Sequence, residues 1–162
     1  MSEITIRTAT QEDVAVILDF IHHIAQYENL SDQVKATEET LRESLFVKHA
    51  ASVLLAQVAG EVIGYAVWFY NFSTFEGKRG LYLEDIFILP QHRTSGIGSK
   101  LFAHLAHIAL ESDCARMEWA CLDWNEPSIA FYKKRGAKTM DGWTTYRLER
   151  EGIAALLNEA AQ

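Results

Sequence analysis

The sequence predicts a mixed α/β domain with antiparallel strand pairs in its first half and a parallel crossover in its second. Three observations carry this. Short apolar runs alternate with stretches whose apolar residues recur at helical spacing. Ala59-Gly60-Glu61 separates two of the apolar runs and reads as a hairpin connection. A strand–helix–strand unit over residues 81–122 requires a crossover between parallel strands. The 162 residues suit one domain spanning 1–162, long enough to bury a sizeable core.

The elements follow in order. Residues 4–8 alternate and predict a strand. Thr10 caps the next helix, with Asp13 three residues on as a weak capping box. Val14, Ile17, Leu18, Ile21, Ile24 and Ala25 form the apolar face of that helix, which fades near Tyr27-Glu28-Asn29. Thr37 caps a second, shorter helix reaching about Phe46. Runs 52–58 and 62–70 predict the two hairpin strands. Residues 72–79 read as a polar loop containing glycine. A strand over 81–89 ends at Pro90. Ile97, Leu101, Leu105, Ile108 and Ala109 mark a helix to about Ser112. A strand over 117–122 follows. Pro127 then suits the first turn of a helix that runs to Arg135 and stops at Gly136. A last strand over 143–148 and a weakly amphipathic helix complete the pattern.

Bulk properties narrow the function. The formal net charge of −7 argues against nucleic acid as a partner, because phosphate contacts need clustered Lys and Arg. It favours a cationic ligand through long-range steering, and it equally serves solubility. No basic-then-apolar leader opens the sequence, and no apolar stretch approaches the ~20 residues of a membrane helix. These features predict a cytoplasmic protein without a membrane partner. Cys114 and Cys121 form no metal signature and no disulfide framework, and read as buried thiols. The six histidines are scattered, and no metal is expected.

The most informative segment joins the strand over 81–89 to the following helix: Gln91-His92-Arg93-Thr94-Ser95-Gly96-Ile97-Gly98-Ser99. A helix start offers unpaired N–H groups and partial positive charge, and glycine lets a phosphate approach the backbone. Arg93 and Lys100 can supplement these donors. The spacing is neither a P-loop nor a dinucleotide fingerprint. Taken alone, the loop fits a ligand-free strand-to-helix turn as well as a phosphate site.

Gln91-x-Arg93-x-x-Gly96-x-Gly98 resembles the Q/R-x-x-G-x-G/A acetyl-CoA motif of GNAT N-acetyltransferases. The resemblance extends along the chain through Ile6-Arg7-Thr8-Ala9-Thr10, Ala25-Gln26-Tyr27-Glu28, Tyr82-Leu83-Glu84-Asp85-Ile86-Phe87, Trp124-Asn125-Glu126-Pro127-Ser128 and Phe131-Tyr132-Lys133-Lys134-Arg135-Gly136-Ala137. These segments are similar to the diamine (spermidine/spermine) acetyltransferase subfamily, which includes enzymes acting on thialysine. The resemblance implies a mostly antiparallel central sheet flanked by helices, with a strand pair splayed at the acetyl-CoA site. It implies acetyl-CoA as co-substrate, a small cationic amine as acceptor and a homodimer. One departure stands inside the loop. The subfamily carries Arg-Gly where this chain has Arg93-Thr94, and threonine fits a positive φ poorly.

Acetyl transfer needs a neutral amine, donors for the oxyanion and a proton for the departing thiolate. The resemblance assigns the last task to Tyr132 and the amine's proton to Glu84. A Tyr packed on an amphipathic helix is the plain alternative for Tyr132. Two acids inside an apolar strand are costly unless paired or facing a cavity, which singles out Glu84 and Asp85. Strict alternation would send them to opposite faces. By resemblance Ile86, Phe87 and Ile88 hold the thioester arm through their backbone, with Asn125 and Ser128. The loop from Arg93 through Thr94, Ser95, Gly96, Ile97, Gly98 and Ser99 holds the phosphates. Tyr27, Glu28, Asp85 and Asp141 complete the amine pocket. Asn125 equally suits a helix N-cap, and Asp141 a turn before Gly142. Lys133-Lys134-Arg135 complements a helix C-terminus. Direct attack in a ternary complex is the expected route, and an acyl-enzyme on Cys121 stays open. The other readings are a protein lysine or N-terminal acetyltransferase of the same fold, and a non-catalytic CoA-binding module.

Overall fold

The computed structural model describes residues 3–159. The chain divides into two compact units, Met1–Leu122 and Asp123–Gln162.

The first unit is built on a five-stranded sheet in the order β1-β2-β3-β4-β5. The strands are β1 (Ile4–Thr8), β2 (Ser52–Val58), β3 (Glu61–Ser73), β4 (Lys78–Ile88) and β5 (Met117–Trp119). Neighbours are antiparallel through β4, and β4 pairs with β5 in parallel. Helix α1 (Val14–Tyr27) covers one face of the sheet. It lays Ile17 and Phe20 onto Val53, Leu55, Tyr65 and Phe87 to form a buried cluster. Helix α3 (Ile97–Glu111) covers the other face and buries Ile97, Leu101 and Leu105. Gly64 makes that approach possible. A Cβ there would lie 3.2 Å from the Phe87 carbonyl, 3.3 Å from Ile88 Cγ1 and 3.6 Å from Ile97 Cγ2.

Entry into α1 is fixed by charge as well as by burial. The Thr10 N–H donates to Asp13 Oδ2 at 2.7 Å, forming the backbone arm of the predicted capping box. Arg7 on β1 reaches the same carboxylate with both terminal nitrogens, at 2.7 and 2.8 Å. The Arg7 hydrogen bonds hold the Asp13 carboxyl well below the ordinary range, at about 2. Helix α2 (Glu38–Arg42) is capped by Thr37, whose Oγ1 accepts from the Thr40 N–H at 3.2 Å. It widens into a π-type turn over Glu43–Val47 that buries Leu45.

Three sequence expectations need correction. Residues 72–79 are not a loop, because β3 and β4 stay paired as far as Ser73↔Lys78. The Ser73 hydroxyl accepts from the Glu76 N–H at 3.2 Å inside the turn that closes this hairpin. Phe72 is exposed here while Ser73 and Gly80 are buried, so the apolar-in, polar-out alternation that would announce a strand is missing. The strand expected over 117–122 is also shorter, since pairing with β4 ends at Leu83↔Trp119.

The second unit contains α4 (Glu126–Lys133) and α5 (Arg150–Glu159). The strand expected over 143–148 does not form. Trp143 and Tyr146 in that stretch are 81% and 92% exposed. A strand persists only where its N–H and C=O groups find a paired edge, and this unit contains no other strand among the described residues. At the end of α4, Arg135 donates to the Phe131 carbonyl at 2.8 Å, the C-terminal role expected of the basic cluster.

Candidate active site

The site begins with an irregularity in β4. Val67 pairs with Asp85 and Trp68 with Leu83, which leaves Glu84 as an extra residue in the ladder. A bulge of this kind bends the strand and re-aims side chains. Strict alternation therefore fails where the two acids stand. Asp85 shares the α1 face with Tyr65 and Phe87, while Leu83, beyond the bulge, has changed face. Glu84 is exposed at the bulge.

On the α1 face the sequence-predicted acids gather around a residue that sequence reasoning passed over. Tyr65, 0% exposed, donates from its hydroxyl to Asp85 Oδ2 at 2.8 Å. Burial, then Asp85, Glu28 and Glu84 in turn, push the Tyr65 hydroxyl far above its ordinary value. Three carboxylates thus act on one phenol. Burial raises the Asp85 carboxyl, and the Tyr65 hydrogen bond opposes that shift. Glu28, the C-cap of α1, is raised by burial and then by Asp85. The available signal for Tyr65 was a lone hydroxyl within the apolar run from Val62 to Val67.

Aromatic rings line the same face. Phe87 meets Phe20 edge-on at 6.3 Å and Tyr27 at 6.2 Å, and His23 stacks on it at 6.0 Å. Arg93 comes to this face from the glycine loop. Its guanidinium lies 5.1 Å from the ring centres of both Tyr27 and Phe87, and its Nε donates to the Ile88 carbonyl at 3.0 Å. The loop's arginine is therefore bound to the end of β4.

Two features suit a long phosphorylated thioester. Once β5 has parted from β4 after Leu83, residues 84–88 have no strand hydrogen-bonded on that side among the described residues. An open edge there can pair with an extended amide-bearing arm. At its end, Gly96 caps α3 with φ 83, and Gly98 lies in the helix's first turn. Ser95 Oγ donates to the His92 carbonyl at 2.5 Å and tightens the loop. Thr94 has φ 69, the left-handed conformation in which a threonine is strained.

Asn125, Ser128, Tyr132 and Asp141 belong to the second unit. Asn125 is buried, and its Oδ1 accepts from the Ser128 N–H at 3.4 Å, the N-cap geometry of α4. Tyr132 is half-buried on α4, its ring 5.7 Å from that of Phe131. Asp141 is exposed and precedes Gly142, whose φ is 87. Cys114 and Cys121 are half-buried rather than buried, and neither lies within β5. Among the described residues no three His, Cys, Asp or Glu side chains are grouped to hold a metal ion. Among those residues, too, no helix is long and apolar enough to cross a membrane.

A strand that opens beside a glycine-capped helix, with carboxylates at a bulge, suits a phosphorylated thioester and an amine. Residues 18–137 match the family model described as Acetyltransferase (GNAT) family, a match that runs across both units. The chain belongs to this family. It is an N-acetyltransferase that uses acetyl-CoA to acetylate an amine. The chain is 38% identical to the thialysine N-epsilon-acetyltransferase of Bos taurus over 96% of this chain and 98% of that protein. It is 27% identical to an L-ornithine N5-acetyltransferase of Arabidopsis thaliana, covering 93% of this chain and 86% of that one. Among solved structures, an integron cassette protein from Vibrio cholerae superposes with a TM-score of 0.77 at 26% identity, covering 97% and 98% of the two chains.

Proposed function

We propose that this enzyme acetylates the primary amine of a small cationic substrate, a lysine-like amino acid such as thialysine or a diamine, by direct attack in a ternary complex. The observation that carries the reading is the gathering of Glu28, Glu84 and Asp85 around Tyr65 at the bulge of β4. Such a cluster attracts an ammonium and favours binding by a cation over a neutral amine. The similarity to thialysine and ornithine acetyltransferases points to the same acceptor chemistry.

Acetyl-CoA supplies an acetyl thioester. The backbone of Ile86, Phe87 and Ile88 lies along the open edge of β4 and holds the thioester arm, with Asn125 and Ser128 contributing. The loop Arg93-Thr94-Ser95-Gly96-Ile97-Gly98-Ser99 takes the phosphates on the start of α3. Glu28, Asp85, Tyr27 and Asp141 hold the amine. Glu84, solvent-accessible at the bulge, takes the proton the ammonium must lose, directly or through water. Tyr132 protonates the departing thiolate. The fold acts as one domain, a reading supported by the family match running across both units. Two copies associate, which would cover the exposed Trp143, Tyr146 and Leu157. The enzyme acts in the cytoplasm on a free small molecule, with neither nucleic acid nor membrane as partner.

The decisive experiment is thiol release from acetyl-CoA across thialysine, lysine, ornithine, diamines, polyamines and a lysine-containing peptide. Turnover confined to small amines with a second charge supports the assignment. Inactivity on every diamine and lysine analogue would sink the substrate class while leaving acetyl transfer intact. Tyr132→Phe should lower kcat by about 10²-fold; an unchanged rate removes Tyr132 as the acid. Radiolabelled acetyl that stays on the protein through gel filtration would replace direct attack by an acyl-enzyme route.

A further inference from the structure

Tyr65 is an unusual occupant of its position. It lies in the core cluster beside Ile17 and Leu55, and its ring packs 5.1 Å from that of Phe20. Phenylalanine would bury as well there without a polar atom to satisfy. Among the described residues the hydroxyl has one hydrogen bond, its donation to Asp85 Oδ2 at 2.8 Å. The register explains how the two meet. Tyr65 faces Phe87 across the ladder, and Asp85 is the diagonal neighbour on the same face. With its hydroxyl held far above its ordinary value, Tyr65 is a permanent donor in the physiological range.

Around this pair the charges are unbalanced. Glu28 approaches from the end of α1 and Glu84 from the bulge. Arg93 stacks on Tyr27 and Phe87 but makes no ion pair with Asp85. The Oδ1 atom of Asp85 accepts no hydrogen bond from the described residues. A half-buried carboxylate with one oxygen clamped and the other unclaimed can offer that oxygen to a cation.

We infer that Tyr65 is a positioning residue for substrate recognition: its buried hydroxyl clamps one oxygen of Asp85 and leaves the other, together with Glu28, as a preformed seat for an ammonium group. The inference rests on the reading that Asp85 and Glu28 bind the amine. Rigidity is what the clamp adds. An Asp85 free to rotate would lose conformational freedom on each binding event, and one locked by a phenol does not. The clamp also favours the ionised form of Asp85, the form an ammonium needs.

The test measures kcat, KM and the pH dependence of kcat/KM for thialysine and for n-butylamine, in the wild type, Tyr65→Phe, Asp85→Asn and the double variant. Tyr65→Phe should raise KM for thialysine about tenfold while kcat changes by less than about threefold. KM for acetyl-CoA should hold, and n-butylamine should be affected less than thialysine. The acid limb of kcat/KM should move to higher pH, because the lost hydrogen bond lowers the Asp85 carboxyl in the wild type. The double variant should match Asp85→Asn alone. If Asp85→Asn leaves KM for thialysine unchanged, the underlying reading of the amine site fails. If Asp85→Asn raises that KM and Tyr65→Phe moves neither KM nor the acid limb, only the clamp fails. Should Tyr65→Phe not fold, 3-fluorotyrosine at position 65 replaces it. A stronger phenol donor must shift the limb to lower pH, and an unmoved limb overturns the clamp.

Discussion

Thr94 is where a single residue works against its backbone. At φ 69 a β-branched side chain is strained by about 1–3 kcal/mol. Thr94→Gly removes that strain and gives back about 0.5–1 kcal/mol through the freer unfolded chain. The expected net is a rise in Tm of about 2–4 °C and severalfold tighter acetyl-CoA binding by calorimetry. Weaker binding would show that the Thr94 hydroxyl contacts a phosphate and that its strain serves the ligand. The departure from Arg-Gly was visible in the sequence, but the φ that gives it meaning was not. The same holds for Tyr65. The letters Gly64-Tyr65-Ala66 describe a buried strand, and only cross-strand register shows which acid the hydroxyl meets.

Elements place these residues, and β3, β4 and α3 fit tightly together at Gly64. Gly64→Ala would push on the Phe87 carbonyl at 3.2 Å and on Ile88 Cγ1 at 3.3 Å, with Ile97 just behind. It should cost about 1–3 kcal/mol in chemical denaturation and weaken acetyl-CoA binding through the displaced start of α3. An unchanged affinity would separate the packing from the loop. At the other end of the sheet, Arg7→Ala should lower stability by about 1 kcal/mol at pH 7. The Asp13 carboxyl is depressed in the fold, so its contribution is present above the ordinary 3.8 and lost as pH falls through about 2. The gap in Tm between wild type and variant should therefore narrow across that window. A gap that persists would assign the effect to lost packing of the Arg7 stem. The long helices were legible because one face of each is buried and the other wet, and β2 and β3 because apolar runs mark strands buried on both faces. The far half of the β3–β4 hairpin was not, because the residues it buries, Ser73 and Gly80, are not apolar markers of a strand. Glu84's bulge was hidden for a different reason, since an extra residue in a ladder exists only relative to its partner strand.

At the scale of the whole molecule, the exposed apolar residues Trp143, Tyr146, Ile153 and Leu157 give the C-terminal unit a surface that water covers poorly. Light scattering after size exclusion should return a dimer at micromolar concentration, and Trp143→Ser with Tyr146→Ser should shift it toward monomer. A wild-type monomer at all concentrations would require another explanation for that surface. The strand expected over 143–148 does not form. Pattern alone does not supply the neighbouring edge, and a single chain does not form the strand.

The bulge at Glu84 also bears on how the enzyme tolerates insertion and deletion. Substituting Glu84 changes one side chain and keeps the count of residues between Leu83 and Asp85. Losing its codon removes the extra residue, and the ladder could close into a regular one. Leu83 already points to the opposite face from Asp85, so closing the gap keeps Val67 opposite Asp85 and leaves Asp85 on the α1 face beside Tyr65. An in-frame deletion would thus remove the bend along with the carboxylate while sparing the register of Asp85, whereas a substitution removes the carboxylate alone.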